Sequence, residues 1–319
     1  MRRFIVPGLL VFACAVSASA QPTKTVPPLP MLPEEAAWDK LPPQKKPSLP
    51  EWAKRFAGPL PKTTAKMLEL DYLHREKNPL GSRFAARIRW TVADALNSKY
   101  GRDTAKADLD RAEPVPQPLT DDEVAALAFA RKLTLAGHAI TDNEFAALLK
   151  RFTPEQVTAI VHTVACANFQ NRVTLALGVR GEDPIALPVA TKFDLDAAKL
   201  KAPDRPPWDD LKSVKADGIS VRVEWGKDGF DEINASLDRQ KERTLRVPLP
   251  DDAVIEKLPP RERDSAKKIL WNTVSAGYQP ELTRAWFACL SAYYEEAKVD
   301  RVFTNSVFWV VTRTNDCFY

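Results

Sequence analysis

Through "LGSRFAARIRWTVADAL" the apolar residues Leu80, Phe84, Ile88, Val92 and Leu96 fall at i, i+4 spacing, which predicts one buried face of a helix. Val124, Leu127, Ala130 and Leu133 are spaced to line one face of the next long helix. The stretch "TPEQVTAIVHTVACANFQNRVTLALG" is apolar almost all round, so it predicts a largely buried helix that stops at Gly178. Three helix starts carry a Ser/Thr-x-x-Glu/Gln capping box: Thr120 with Glu123, Thr141 with Glu144, and Thr153 with Gln156, the last with Pro154 at the first helical position. An all-α fold follows. Residues 181–259 differ, with "RPPWDD" and one hairpin-like segment "ISVRVEWGKDG", and are expected to form a connector. Helical periodicity returns from Pro260.

Upstream of residue 59 the pattern breaks in two ways. Arg2 and Arg3 precede an apolar run from Phe4 to Val16 and a small-residue "SASAQ" cleavage pattern, so residues 1–20 are expected to be a secretory signal and the protein to be exported. A rival assignment makes "VFAC" a lipoprotein signal anchored at Cys14, but Phe12 is bulky where such signals take a small residue. Residues 21–58 carry recurring prolines, as in "VPPLPMLPEE", which favours an extended lead-in. No later segment has the roughly twenty apolar residues needed to span a membrane.

Charge and cysteine narrow the chemistry. The 46 basic and 42 acidic residues are intermixed, and a net charge of +4 makes no case for nucleic acid or an anionic surface. Outside the signal, Cys166, Cys289 and Cys317 are far apart, as are His74, His138 and His162, so neither a disulfide framework nor a metal-ligand spacing is present. His162 and Cys166 lie i, i+4 on one helix, a geometry open to a thiolate–imidazole pair but simpler as core packing. His138, in "LAGHAITD", is expected in a turn, and Cys289 as a small buried hydrophobe. A Cys166–Cys289 disulfide joining the two halves is the oxidised alternative.

A shift that carries Pro61 onto Pro280 reveals an internal repeat without gaps. It aligns Trp52 with Trp271, Ala57 with Ala276, Gly58 with Gly277, Phe84 with Phe303, Trp90 with Trp309 and Tyr100 with Tyr319, and matches Ile88 to Val307 and Val92 to Val311 in kind. Two modules are therefore expected, residues 59–180 and 260–319. The first continues well past Tyr100 and the second ends at Tyr319, leaving a helix with Phe303, Val307, Phe308, Val310 and Val311 short of covering helices. The expectation is a fragment or a truncated product.

The same shift places Ser98 on Cys317. Here the segment Asn315, Asp316, Cys317, Phe318 and Tyr319 resembles the carboxymuconolactone decarboxylase and alkylhydroperoxidase D-like family, whose redox motif is Asn-x-Cys-x-(Tyr/His/Phe)-Cys-x-x-x-His. Residues 119–179, with their short capped helix and "ANFQNR" helix, resemble the part of that family that follows the motif. The resemblance implies tandem alkylhydroperoxidase-like helical modules and thiol-dependent reduction of a hydroperoxide, a peroxiredoxin-like activity with an external thiol reductant and no metal or organic cofactor. It also implies assembly into homo-oligomers through helix faces. The chemistry needs two thiols one turn apart, one lowered in pKa to attack the peroxide and one to resolve the sulfenic acid. In the first module Ser98 and Gly101 stand at the cysteine positions and Ala105 at the histidine position, so that module is expected to be redox-dead. Cys317 is the one catalytic candidate, matching the first thiol, while the family's upstream acidic position falls on Asn305 and Ala86. A non-catalytic helical interaction or scaffold protein is the competing expectation. A thiol-independent decarboxylase or lactonase finds no convergent acid and base in the sequence.

Overall fold

A computed structural model describes residues 29–41, 47–190, 245–268 and 270–314. The expected signal, Cys14, the hairpin-like segment and Cys317 lie outside the described residues. The described chain is all-α, with no strand among the described residues. Its helices are α1 (Glu34–Trp38), α2 (Glu51–Phe56), α3 (Pro61–Glu76), α4 (Ser82–Ala95), α5 (Lys99–Ala112), α6 (Asp121–Ala136), α7 (Asp142–Leu149) and α8 (Pro154–Ala176). Beyond the connector follow α9 (Asp252–Glu256), α10 (Pro260–Lys268), α11 (Leu270–Tyr278), α12 (Pro280–Ala297) and α13 (Arg301–Thr314).

All three capping boxes form as their spacing predicts. Thr120, Thr141 and Thr153 accept from the backbone N–H of Glu123, Glu144 and Gln156 at 3.2, 3.3 and 3.3 Å, and each partner side chain accepts from the cap's own N–H. The buried helix α8 ends as expected at Gly178, whose φ of 70° lets Val179 N–H reach Thr174 O at 2.9 Å and its own N–H reach Leu175 O at 3.1 Å. Asn97 closes α4 in the same way, with φ 52° and Ser98 N–H on Ala93 O at 2.8 Å.

One core lies between α4, α6, α7 and α8, where Phe84, Ile88, Val92, Phe129, Phe145, Leu148, Val157, Ile160 and Val164 pack together. The α4 face is the predicted one. On α6 the buried stripe is Ala126, Phe129 and Ala130 with Leu133 partly covered, and Val124 points outward at 51% exposure. Spacing alone could not separate two stripes about one position apart on a helix this alanine-rich.

The second core holds a correction. Proline spacing predicts an extended lead-in, yet Pro33 and Pro50 are the residues that precede α1 and α2, and Trp38, Leu41, Leu49 and Trp52 are fully buried. Proline's fixed φ suits a helix start as well as an extended chain, and the tryptophans supply the apolar area that docks the segment. These residues pack with Leu68 and Leu70 of α3, Tyr100 of α5, Cys166 of α8 and Cys289 of α12.

Helix α12 packs on α3, with the end of one beside the start of the other. Glu296 accepts from Lys62 N–H at 2.6 Å, Thr63 N–H at 2.7 Å and Thr63 Oγ1 at 2.7 Å, so a buried carboxylate satisfies the free donors of α3, which has no side-chain cap of its own. Phe169 of α8 meets Trp286 of α12 edge-on at 5.3 Å, and Gln279 donates to Glu155 O at 2.8 Å. The shift from Pro61 to Pro280 also carries Ser82, the first residue of α4, onto Arg301, the first residue of α13. The residues before the two prolines agree in backbone as well: Leu60 has φ −141°, ψ 61° and Gln279 has φ −135°, ψ 61°.

Candidate functional site

The turn between α4 and α5 holds the positions that the repeat equates with Cys317. Ser98 is buried and closes α4 with its N–H while its Oγ accepts from Gly101 N–H at 3.2 Å, so one residue ends one helix and caps the next. A β-carbon on Gly101 would stand 1.9 Å from Asn171 Oδ1 and 2.8 Å from the Ala93 β-carbon. Asn171 is held there by its own amide, which donates to Ala167 O at 2.7 Å. A thiol therefore has no room at position 101, and Ala105, a turn later, is fully buried. As folded, the α4–α5 turn does not accommodate two thiols one turn apart at positions 98 and 101.

A cavity of about 10 Å³ remains, lined by Arg89, Tyr100, Gly101, Thr104, Gln170 and Asn171 among others, room for one water. Behind it is a buried ionic cluster that helical spacing does not reveal. Asp108 accepts from Arg75 Nε at 2.7 Å and Nη2 at 3.0 Å, and from Arg89 Nη1 at 2.6 Å. Asp71 accepts from Arg75 Nη1 at 3.0 Å and from Gln170 Nε2 at 2.6 Å. All four charged residues are buried, and they tie α3, α4 and α5 together, with Gln170 adding α8. Burial alone would raise the Asp108 pKa, but hydrogen bonds from Arg75 and the charge of Arg89 outweigh it and hold it at about 2. Burial likewise opposes the charge on Arg75, and Asp71 and Asp108 reverse that, so its pKa is raised. The one sequence signal was Asp71 and Arg75 at i, i+4; the partners Arg89 and Asp108 come from other helices and are joined only by the fold.

The remaining candidates are chemically quiet. Burial, then the charges of His162 and Arg89, push the His74 pKa down to about 3, and burial pushes His162 to about 4, so both imidazoles are neutral at pH 7. Cys166 and Cys289 are buried free thiols. Burial, then the nearby Asp71 carboxylate, raises the Cys166 pKa, and burial lifts Cys289 to about 12, so neither offers a thiolate. No disulfide joins these two cysteines, and no hydrogen bond links His162 to Cys166 among the described residues. His138 sits exposed in a single 3-10 turn, Gly137–Ala139, as expected of a turn residue. Ala86 is buried in α4 and Asn305 is exposed on α13. Among the described residues no group of three His, Cys, Asp or Glu could hold a metal ion, and no helix is long and apolar enough to cross a membrane.

The fold thus leaves the α4–α5 turn filled, its neighbouring titratable groups paired or neutral, and the equivalent position Cys317 outside the described residues. No family model matches the chain, and neither a curated protein nor a solved structure does.

Proposed function

We propose that this chain is an exported alkylhydroperoxidase-like protein in which the first helical unit is a non-catalytic support and the thiol chemistry rests on Cys317. The observation that carries this is the coincidence of helix starts: the shift that carries Pro61 onto Pro280, the first residues of α3 and α12, also carries Ser82 onto Arg301, the first residues of α4 and α13, and at the same shift Ser98 falls on Cys317. In the first unit that position is the cap of the next helix, where a thiolate would be favoured by the helix dipole. The Cys317 thiolate attacks the terminal oxygen of a hydroperoxide, the O–O bond breaks, and the alkoxide leaves as an alcohol after taking up a proton. The cysteine is left as a sulfenic acid. An external thiol condenses with it, releasing water, and a second thiol frees the cysteine as the external disulfide forms.

The test is hydroperoxide consumption by the full chain with a dithiol reductant, compared with Cys317→Ser. Turnover that vanishes in the variant is expected. Equal rates in the two proteins would remove the peroxidase assignment and leave a helical scaffold, the second function we consider. The scaffold alternative draws on the closed α4–α5 turn of the first unit and on Cys166 of α8 and Cys289 of α12, both buried with raised pKa.

A further inference from the structure

Between the start of α8, the segment leading into α9 and the end of α11 lies a cleft of about 180 Å³. Its walls come from both halves of the chain, which Gln279 joins there by donating to Glu155 O at 2.8 Å. The apolar side is firmly built. Pro250 is buried and lies against Gly277, where a β-carbon would stand 2.4 Å from Pro250 Cγ. The Tyr278 hydroxyl donates to Pro248 O at 2.9 Å, which fixes the ring, and Val254 adds a further apolar side chain.

The polar side is acidic and has no counter-charge. Glu155 and Asp251 line the cleft, with no Lys, Arg or His among the lining residues. Among the described residues neither carboxylate makes a salt bridge or a hydrogen bond; only their backbone carbonyls accept. Burial, then the charges of Glu155 and Asp251, raise the Tyr278 pKa, so both carboxylates act on the same phenol. Each stands at the start of a helix, whose dipole places about half a positive charge there. A full carboxylate charge outweighs that half, and the cleft stays negative.

We propose that this cleft binds a primary ammonium group at the end of a short aliphatic chain, with the ammonium between Glu155 and Asp251 and the chain against Pro250, Val254 and the Tyr278 ring. The three N–H donors of an ammonium match the two carboxylates and the phenol oxygen, which still has a lone pair to accept with. Size selects a small ligand: at ~30 Å³ for each water displaced, the cleft takes about six heavy atoms. A divalent metal ion is the poorer occupant. Two carboxylates leave calcium short of the roughly six to eight oxygens it takes, and among the described residues no group of three His, Cys, Asp or Glu could supply them.

The experiment is a titration of the full chain with n-butylammonium chloride at pH 7, followed by the amide signals of Asp251, Val254, Gly277 and Tyr278 in nuclear magnetic resonance spectra. Saturable shifts at these amides are expected, and none with n-butanol, the uncharged analogue. The double variant Glu155→Gln, Asp251→Asn should bind at least about ten-fold more weakly, the factor one charge-assisted hydrogen bond supplies. The control Asp121→Asn, Glu281→Gln, which removes two exposed carboxylates elsewhere, should bind as the wild type does. A parallel titration with Nα-acetyl-lysine N-methylamide separates the sources of the ammonium: equal affinity indicates a lysine side chain on a polypeptide, and exclusion indicates a free amine. The proposal is overturned by the absence of saturable shifts with n-butylammonium, by shifts as large with n-butanol or calcium chloride, or by undiminished binding in the double variant. The comparison with n-butanol needs no variant. None of these readings involves Cys317, so the ammonium site and the peroxidase activity stand or fall separately.

Discussion

The Oδ1 atom of Asn171 lies 1.9 Å from the point where a β-carbon on Gly101 would stand, so the position where the expected redox motif would need a second thiol is closed by a side chain from α8. Glycine is required there for space, since the residue lies inside helix α5 with no positive φ to demand it.

Gly101→Cys is accordingly expected to lower stability by about 1–3 kcal/mol through overpacking. Urea denaturation checks this. Adding Asn171→Ala should recover part of the loss by removing the clash, and a Gly101→Cys protein as stable as the wild type would show that the contact is slack.

Asp108 holds two buried guanidinium groups, Arg75 and Arg89. Removing its charge in Asp108→Asn leaves them undercompensated, which costs about 3–5 kcal/mol for a buried pair. Its folded pKa of about 2 lies below the ordinary 3.8, so its contribution is fully present above about pH 4 and is lost as pH falls toward 2. Denaturation midpoints of wild type and variant should therefore converge between pH 4 and pH 2.

His74 and His162 act over a different window. The unfolded chain protonates them near 6.5, while the folded chain resists until about pH 3 and pH 4. Below pH 6.5 the unfolded state therefore binds more protons, and stability falls with pH. Replacing both by Asn should flatten the slope of stability between pH 6.5 and pH 4, measured by denaturant titration at each pH.

Glu296 ties α12 to the first turn of α3 through three hydrogen bonds. Glu296→Ala leaves buried N–H donors unsatisfied and is expected to cost about 1–3 kcal/mol. Glu296→Gln should retain part of this, because its carbonyl oxygen still accepts but carries no charge to meet the helix dipole. Thermal melts of the three proteins rank the effect.

Cys166 and Cys289 should resist a thiol reagent in the native protein and react only once denatured, because burial raises the pKa of both thiols. The count of fast-reacting thiols, native against denatured, tests this directly.

The sequence by itself determined the all-α class, the capping boxes of α6, α7 and α8, the stop at Gly178 and the buried face of α4. Each of these is set within about one to five turns of helix, by hydrogen bonds between near neighbours or by apolar spacing along one element. The shift that carries Pro61 onto Pro280 also carries the first residue of α4, Ser82, onto the first residue of α13, Arg301. Tertiary structure decided the rest. Whether the proline-rich lead-in stays extended depends on a distant surface that can take Trp38 and Trp52, and α3, α8 and α12 provide it. Arg75, Arg89 and Asp108 are ordinary charges in the chain and become one cluster only because three helices converge. Gly101 could accept a thiol on local grounds alone; it is Asn171, seventy positions away, that fills the space. Spacing records what one helix offers, while packing determines which offers meet.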